Sequence, residues 1–578
     1  MAEREIMEEL KPLFNPRSVA VIGATNNFTK WGFSTFSSLM NSFEGDLYAV
    51  NNRDSEVFGY EAYARVSDIS ADVDLAVFVI PAERVASAME DCVTKGVKAA
   101  VIISAGFAET GAAGRALQDE VATIANRGGV RIVGPNCMGM WSAPSNLKAF
   151  MFPLPIMTGP LALVSQGGNV GGALVASSVS RGVGFQYYVS CGCTADIQIE
   201  DYVECLAQDE NVKVIMLYIE GLGDGRRFIQ KVKKVTASKP VVALKPGKTL
   251  AAARAISSHS GTLSGLDSVY DAAFKEAGVI RAETSEELLD IAIALLSQPL
   301  PKGRNVVITT PGGSYGVMCA DACAYRGLNV IDLPQTALET FNSMFPPRWS
   351  HGNPVDPAGD RNFITYLKAP DILLQYPEVD ALIFMGFGTF SAFAAMFSSA
   401  GNAFDRMFAD LKARAGDLEQ TARYFVDMLD SGDHSKIREI IKVAMRVIFG
   451  SVLTAQSSEV DNFIDTLSDV LTSEKILESS FVDGLRELFN SILAGSIDGS
   501  KMANIVELLE PMLGALIHHW IVTYGKPVIT TTFTEEAPRM GLGGHHPYPN
   551  VERAATVLAK LVEYREYLDS VGEIEINN

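Results

Sequence analysis

One pattern occurs three times in this chain and strongly limits how it can fold: a short apolar run ends in a glycine-rich turn, which leads into a helical pattern. The three copies begin at Ser18, Gly159 and Asn305. Continuous apolar runs separated by helices are typical of parallel sheets that are covered on both faces. The sequence therefore predicts an α/β protein with three doubly wound parallel-sheet domains, whose ligands bind at the carboxyl ends of the strands.

The same pattern predicts where these domains begin and end. It is interrupted after the apolar run that starts at Asp380, and it resumes at Lys526. Because the pattern in between is helical throughout, we expect an all-helical domain to be inserted into the third α/β unit. The predicted domains are residues 1–150, residues 151–297, residues 298–387 together with 521–578, and the helical insertion at 388–520.

The net charge of the chain limits which kinds of molecule it can bind. The chain has 578 residues and a formal net charge of −20, from 48 basic and 68 acidic side chains. This acidity argues against nucleic acid or an anionic membrane as the main partner. An anionic ligand would need local positive potential from helix amino termini and a few basic side chains.

Two further features concern location. The seven cysteines show no metal-ligand spacing, so we expect free thiols, no metal site and a reducing, cytoplasmic compartment. The N-terminal residues contain no apolar signal core.

The uncharged segment 381–404 is long enough to span a membrane. Its Gly386 and Gly388 favour instead a buried strand, a turn and a helix.

The turns themselves indicate phosphate chemistry. The first unit lacks the spacing of a dinucleotide fingerprint, whereas Ser165-Gln166-Gly167-Gly168 ends a strand and opens a helix, a geometry that favours phosphate. Glu220 closes another strand, where a carboxylate is either solvated or orients a catalytic imidazole. His259 lies in a polar loop. A lone histidine there is more often only solvated, but the neighbouring turns favour a nucleophilic role.

Four segments carry a family resemblance: Leu13-Phe-Asn-Pro-Arg-Ser-Val-Ala-Val-Ile-Gly-Ala-Thr25, Ile102-Ile-Ser-Ala-Gly-Phe-Ala-Glu109, Gly134-Pro-Asn-Cys-Met-Gly139 and Ser257-Ser-His-Ser-Gly-Thr-Leu263. Together they resemble the NDP-forming acyl-CoA synthetases, the superfamily of ADP-forming acetyl-CoA synthetase and succinyl-CoA synthetase, and specifically the α-type subunit. The resemblance covers residues 10–385 and 525–570. It implies a Rossmann-like CoA-binding domain followed by two flavodoxin-like ligase domains.

The resemblance also implies an activity. Such an enzyme converts a carboxylic acid, CoA and NTP reversibly to acyl-CoA, NDP and phosphate, through a phosphohistidine and an acyl phosphate. His259 matches the phosphorylated histidine, and Glu220 matches the acidic residue that orients it. The residues that match the phosphate cradle are Ser165, Gln166, Gly167 and Gly168, with Gly167 in place of a commoner serine.

The CoA site is implied to lie on the first domain. Arg53 stands where the family usually has lysine, able to meet a CoA phosphate, although an exposed surface cation is the alternative. Cys193, in the loop near the phosphate site, replaces a commoner asparagine. The residues that match CoA-contacting loops are Gly23, Ala24, Thr25, Asn26, Arg53, Ile80, Pro81, Ile103, Ser104, Ala105, Phe107 and Asn136.

A partner is implied as well. The sequence contains no recognisable ATP-grasp domain, which in this family belongs to a β-type part, fused or separate. We therefore expect a separate ATP-grasp chain that binds ATP/ADP or GTP/GDP with Mg²⁺, in a hetero-oligomer such as α2β2. The helical insertion is expected to be an oligomer or partner surface, or a lid over the acid site. The acid, the nucleotide base, the physiological direction and the oligomeric state stay open.

Two other functions are compatible with this scaffold. A catalytically silent CoA- or acyl-CoA-binding regulatory protein would not need both His259 and Glu220, and both are present. A citrate-cleaving lyase or a fused protein acetyltransferase would need further domains that the sequence does not show. The ligase is therefore the favoured function.

Overall fold

The chain forms two compact units, residues 1–296 with 566–578, and residues 297–565. The first unit contains two seven-stranded sheets and the second contains a four-stranded sheet. The predicted α/β class, with parallel sheets and helices between the strands, is confirmed. The computed structural model describes residues 2–249, 251–252, 266–359, 363–387, 509–532 and 546–572, with a few single residues between 422 and 494.

The first sheet is parallel except for one short antiparallel pair at its edge. Its strands and the helices of this part are α1 Ala2–Phe14, β1 Ser18–Ile22, α2 Trp31–Met40, β2 Asp46–Val50, β3 Glu56–Val57, β4 Tyr60–Tyr63, β5 Leu75–Phe78, α3 Val85–Lys95, β6 Ala99–Ile102, α4 Ala112–Gly128 and β7 Arg131–Val133. The strand order is β3-β4-β2-β1-β5-β6-β7. Only β3 and β4 pair antiparallel.

Both faces of this sheet are buried, which explains its continuous apolar strands. Side chains of successive residues in a strand point to opposite faces. In β1, Val19 and Val21 belong to one hydrophobic core, while Ala20 and Ile22 belong to the other. A strand in this position must therefore be apolar at every residue, as the sequence pattern indicates.

The second sheet has the strand order β14-β13-β12-β10-β11-β8-β9. Its elements are β8 Gly139–Ser142, β9 Leu147–Phe150, β10 Leu161–Ser165, α5 Gly168–Ser180, β11 Phe185–Ser190, α6 Ile199–Leu206, β12 Val214–Tyr218, α7 Gly225–Thr236, β13 Val241–Leu244, α8 Asp267–Ala277, β14 Ile280–Ala282 and α9 Ser285–Ser297. The hairpin of β8 and β9 pairs antiparallel with β11. Residues 139–150, which the sequence pattern assigns to the first domain, therefore belong to the second sheet.

The third sheet has the order β16-β15-β17-β18, and all its strands are parallel. Its elements are β15 Asn305–Thr309, α10 Gly313–Tyr325, β16 Asn329–Val330, α11 Gln335–Met344, α12 Phe363–Leu374, β17 Ala381–Phe387, α13 Leu509–Tyr524, β18 Val528–Thr532 and α14 Val551–Val571. Strands β17 and β18 are neighbours in the sheet although the predicted insertion separates them in sequence.

The uncharged segment 381–404 begins as strand β17, as its sequence predicts. The rest of that segment, and nearly all of the predicted insertion at 388–520, lie outside the described residues, so the insertion stays a prediction. None of the described helices is both long enough and apolar enough to cross a membrane.

Candidate active site

Polar side chains meet at the carboxyl edge of the second sheet. Ser165, Tyr218 and Leu244 are in register at the ends of the neighbouring strands β10, β12 and β13. The residues that follow them therefore leave the sheet side by side. They include Glu220 and Lys245, which are both buried.

Gln166 fixes the position of Glu220 through the backbone. Its side-chain Oε1 accepts hydrogen bonds from the N–H groups of Glu220 and Gly221, at 2.5 and 2.9 Å. Its Nε2 donates to the carbonyl of Gly221 at 2.8 Å. Because Gln166 is itself buried, these three bonds hold the turn that carries Glu220 in one conformation.

The start of α5 lies next to the Glu220 carboxylate. Gly168 is the first residue of this helix, and Ser165 Oγ donates to the carbonyl of Gly167 at 2.7 Å. A Cβ atom on Gly167 would lie 3.4 Å from Glu220 Oε1 and only 2.8 Å from Cε1 of Tyr218. The Tyr218 ring thus occupies the space that a side chain at position 167 would need, so only glycine fits here without a shift of that ring.

The Glu220 carboxylate also acts on its neighbour electrostatically. Burial raises the pKa of Tyr218 to about 12, and the negative charge of Glu220 contributes to that rise. The Tyr218 phenol is therefore neutral at physiological pH. Its uncharged ring lines this side of the site.

His259 lies outside the described residues. The chain that leads to it leaves β13, the neighbour of β12, and continues into α8. Its proposed pairing with Glu220 stays a prediction.

A cleft of about 1080 Å³ opens at the carboxyl edge of the first sheet. Of the twelve residues that the sequence assigns to CoA contact, eight line this cleft. They are Gly23, Thr25, Arg53, Ile80, Pro81, Ile103, Ser104 and Ala105.

The loops around this cleft are held by hydrogen bonds between neighbouring strand ends. Gly23 has a φ of +101°, and a Cβ atom there would lie 2.4 Å from the carbonyl oxygen of Val79, so only glycine fits. Asn51 donates from Nδ2 to the carbonyl of Ala24 at 2.8 Å and accepts from the N–H of Arg53 at 2.8 Å. The backbone that carries Arg53 is therefore fixed, although its guanidinium is free to reach into the cleft.

Four of the assigned residues do not line the cleft. Ala24 and Phe107 are fully buried behind the loops. Asn26 donates to the carbonyl of Glu56 at 3.0 Å, so it supports the loop at β3. The Nδ2 atom of Asn136 lies 4.0 Å from Sγ of Cys193, at the junction with the second sheet.

Sequence reasoning missed several cations of the cleft. Lys30, Arg65 and Arg84 line it together with Arg53. Arg65 pairs with Asp91 at 3.3 Å, whereas the other three make no ion pair with any residue that the structure describes. Lys30 directly precedes α2 and Arg84 directly precedes α3. Basic residues at the starts of helices that follow strand–turn segments were thus a signal available in the sequence.

Glu109 links a loop at the carboxyl edge of the first sheet to the segment that follows β11 in the second sheet. Its Oε1 accepts from the N–H of Gly106 at 2.5 Å, and both its oxygens accept from the N–H of Phe107 at 3.1 Å. The thiol of Cys193 donates to Oε2 at 3.6 Å. Burial, reinforced by the charge of Glu109, raises the pKa of Cys193 to about 12, so this thiol keeps its proton and acts as a hydrogen-bond donor. Cys193 therefore attaches the end of β11 to the loop beside the cleft.

Comparison with known proteins agrees with this geometry. Three family models match the chain: a CoA-binding domain over residues 17–142, a succinyl-CoA ligase-like flavodoxin domain over 158–295 and a ligase-CoA domain over 305–418. The fold and these matches define a CoA ligase. The first domain contains a cleft lined by Lys30, Arg53, Arg65 and Arg84, and the second contains a helix start of the kind that binds phosphate.

Two curated relatives and one solved structure make the family more specific. The chain is 43% identical over 370 residues to the acetate–CoA ligase [ADP-forming] II subunit alpha of Pyrococcus furiosus, covering 64% of this chain and 80% of the relative. It is 35% identical to a 4-hydroxybutyrate–CoA ligase [ADP-forming] of Nitrosopumilus maritimus, covering 65% of this chain and 54% of the relative. The structure of an acetyl-coenzyme A synthetase of Ca. Korarchaeum cryptofilum with phosphate and ADP is 25% identical, with a TM-score of 0.67, and covers 98% and 99% of the two chains.

The chain belongs to the NDP-forming acyl-CoA synthetase family and is an acyl-CoA ligase. The resemblance, the ligase function and CoA as cofactor are thereby confirmed.

Proposed function

We propose that this chain is the α-type subunit of an NDP-forming acyl-CoA ligase and that His259 is its phosphorylated residue. One observation carries the proposal. The buried Glu220, oriented by Gln166, lies beside the start of α5 in the same unit as the basic cleft. An oriented carboxylate next to free helix N–H groups suits a histidine that receives a phosphoryl group.

The cleft fits CoA by size and charge. Its volume suits a large ligand, and the side chains of Lys30, Arg53 and Arg84 are available for phosphate groups. The remaining assigned residues of the strand-end loops supply backbone and small side chains around the ligand. CoA would contribute a thiol nucleophile when bound.

In the first step, the terminal phosphoryl group of the NTP moves to a ring nitrogen of His259. The bond from phosphorus to the NDP oxygen breaks and a phosphorus–nitrogen bond forms. Glu220 would accept a hydrogen bond from the other ring nitrogen, which fixes the tautomer and stabilises positive charge on the ring. The N–H groups at the start of α5, with that of Gly167 before it, would stabilise the phosphoryl oxygens. The N–H of Gln166 donates to the carbonyl of Tyr218 at 3.1 Å, so Gln166 would shape this cradle without donating from its backbone.

The next two steps return the site to its starting state. A carboxylate oxygen of the acid attacks phosphorus, so the phosphorus–nitrogen bond breaks and an acyl phosphate forms. The acyl carbon is then attacked by the thiolate and inorganic phosphate leaves, giving the thioester. Each step is reversible, so the same residues serve both directions.

A separate ATP-grasp chain is proposed to supply the nucleotide site and Mg²⁺. The P. furiosus relative is named a subunit alpha, which supports an enzyme of more than one kind of chain, such as α2β2. Purification through a tag on this chain should recover the partner. Full activity from this polypeptide alone would refute a separate partner.

The names of the relatives suggest the acid, and the state of the cysteines suggests the compartment. The two curated relatives are named for acetate and for 4-hydroxybutyrate, so a screen of carboxylic acids should begin with these. All seven cysteines are free thiols, which supports a reducing, cytoplasmic compartment.

The test of the ligase function is an assay of the purified complex. Continuous turnover to NDP and phosphate should require NTP, CoA and a suitable acid together, whereas NTP alone should release at most one NDP per site, and His259→Asn should abolish both. A complex that binds CoA but shows no turnover with any acid would refute the ligase proposal for this chain.

A further inference from the structure

The cations at the carboxyl edge of the second sheet differ in how they are paired. Arg281 pairs with Asp267, and Lys248 pairs with Glu283. Lys245, which directly follows β13, has no carboxylate within ion-pair distance in the part of the chain that the structure describes. It is nevertheless only 2% exposed. Lys245 thus differs from Lys248 and Arg281, because no carboxylate in the described residues forms an ion pair with it.

The Lys245 ammonium packs behind the turn that carries Glu220. Its Nζ lies 4.6 Å from the centroid of the Tyr270 ring and donates to the carbonyl of Pro246 at 2.5 Å. The hydroxyl of Tyr270 accepts a hydrogen bond from the N–H of Leu222, two residues after Glu220, at 3.1 Å. Lys245 and Glu220 thus belong to one packed cluster.

A second lysine, which is only partly buried, offers a comparison. Lys239, at the opposite edge of the sheet just before β13, donates to the carbonyls of Ala207 and Asp209, both at 2.7 Å. Burial lowers the pKa of Lys239 and of Lys245 alike, and for Lys245 the charges of Asp267 and Glu220 partly oppose that effect. An ammonium has three donors. Among the described residues, Lys245 donates one hydrogen bond, to the Pro246 carbonyl, and its ammonium lies over the Tyr270 ring. Lys239 instead donates two hydrogen bonds to carbonyls.

A buried positive charge without a paired carboxylate destabilises the folded protein unless an anion binds close to it. In the proposed function, phosphorylation of His259 adds about two negative charges to the site that contains the Glu220 carboxylate. Like charges that share a site from which water is excluded repel strongly. A fixed cation behind Glu220 would offset that repulsion.

We propose that Lys245 is a positioning residue for phosphoryl transfer, whose fixed charge behind the Glu220 turn stabilises the phosphorylated state of His259. The proposal rests on the function proposed above. It makes the charge of Lys245, and not only its packing against Tyr270, necessary for a normal level of phosphoenzyme.

The test compares phosphoenzyme levels in the full chain purified with its partner. Wild type, Lys245→Met, Lys245→Arg and the control Lys239→Met are incubated with γ-labelled ATP and Mg²⁺ at a fixed ATP/ADP ratio, and acid-labile label is counted. We expect Lys245→Met to lower the ratio of phosphorylated to unphosphorylated enzyme by about tenfold or more. Lys245→Arg should stay within about threefold of wild type, and Lys239→Met should match wild type.

The outcomes separate a charge effect from a packing effect. Wild-type phosphorylation in Lys245→Met, or an equal loss in Lys239→Met, would overturn the proposal. If Lys245→Met does not fold, Lys245→Gln retains a polar N–H donor without the charge and should show the same loss. A wild-type ratio in Lys245→Gln would overturn it too. Absence of label on wild-type His259 would instead refute the proposed function, and the inference with it.

Discussion

The carboxyl edges of the first and second sheets belong to the same unit but have opposite character. At the first edge, a cleft of about 1080 Å³ presents Lys30, Arg53 and Arg84 to solvent. At the second edge, the polar groups are buried, and Gln166 and Glu220 are held by backbone hydrogen bonds. Exposed charges attract a large ligand over a distance and are screened by salt. Buried, fixed charges instead stabilise a reacting group.

This contrast assigns CoA binding to the first edge and phosphoryl transfer to the second. Substitutions at the first edge should change the KM for CoA, and substitutions at the second edge should change kcat. Five substitutions, in decreasing order of expected effect, test that separation and the packing of the second edge on which it depends.

The largest effect is expected for Glu220→Gln. This change keeps the shape of the side chain and the two backbone bonds to Gln166, but it removes the charge that is proposed to orient His259. We expect kcat to fall by roughly 100-fold with little change in the KM for CoA. Steady-state kinetics measure both values, with Glu90→Gln at an exposed ion pair as the control. A comparable rise in KM would show that the two edges do not act separately.

Gly167→Ser tests whether Tyr218 sets the shape of the cradle. The new Cβ would lie 2.8 Å from the ring of Tyr218, and such overpacking lowers the free energy of unfolding by about 1–3 kcal/mol. Chemical denaturation measures the loss, and adding Tyr218→Leu should relieve it. Gly225→Ser is the matched control, because a Cβ on Gly225 at the start of α7 meets nothing within 4 Å. Equal stability of the two serine variants would contradict the packing argument.

Asp201→Asn separates the stability of the second sheet from its chemistry. Burial alone would raise the pKa of Asp201, but hydrogen bonds from Lys231 and Arg227 outweigh it and hold the pKa below its ordinary value. Stabilisation from a lowered carboxyl pKa is present above the ordinary pKa and is lost as the pH falls through the folded one. The substitution should therefore cost about 1–2 kcal/mol at pH 7.

The pH dependence makes this prediction specific. The free energies of unfolding of wild type and Asp201→Asn should converge as the pH falls below about 4. The level of phosphoenzyme at pH 7 should be the same in both. A stability difference that persists unchanged at low pH would exclude the ion-pair explanation.

The smallest effects are expected for single cations of the cleft. Arg53→Ala and Arg84→Ala should each raise the KM for CoA by roughly 3- to 10-fold, because each removes one exposed phosphate partner. Added salt should reduce the difference from wild type. Arg127→Ala, which removes a surface cation paired with Glu90, should leave KM unchanged. A fall in kcat with normal KM would place these arginines in the chemistry instead.

Much of the fold could be predicted because its signals are local. Buried parallel strands must be apolar at every position, so β1, β10 and β15 are visible as runs, and the glycines after them mark the turns. Parallel strands also end at a common edge, which is why Gln166 and Glu220 could be expected near each other from sequence alone.

What could not be predicted depends on contacts between distant segments. The hairpin of residues 139–150 pairs with β11 across the sheet, and nothing in its own pattern indicates which sheet it extends. The role of Asn51 as a link between two loops of the cleft depends on the register of β1 and β2. The restriction on Gly167 comes from the Tyr218 ring on another strand, so the sequence shows the glycine but not its cause.

Phosphopeptide mapping tests the central claim most directly. The purified complex is incubated with γ-labelled ATP and Mg²⁺, digested, and searched for acid-labile, base-stable label. We expect label on His259 that is discharged when CoA and a suitable acid are added together, and greatly reduced label in Glu220→Gln. Label on another residue, or none on His259 in a complex that still binds CoA, would contradict it.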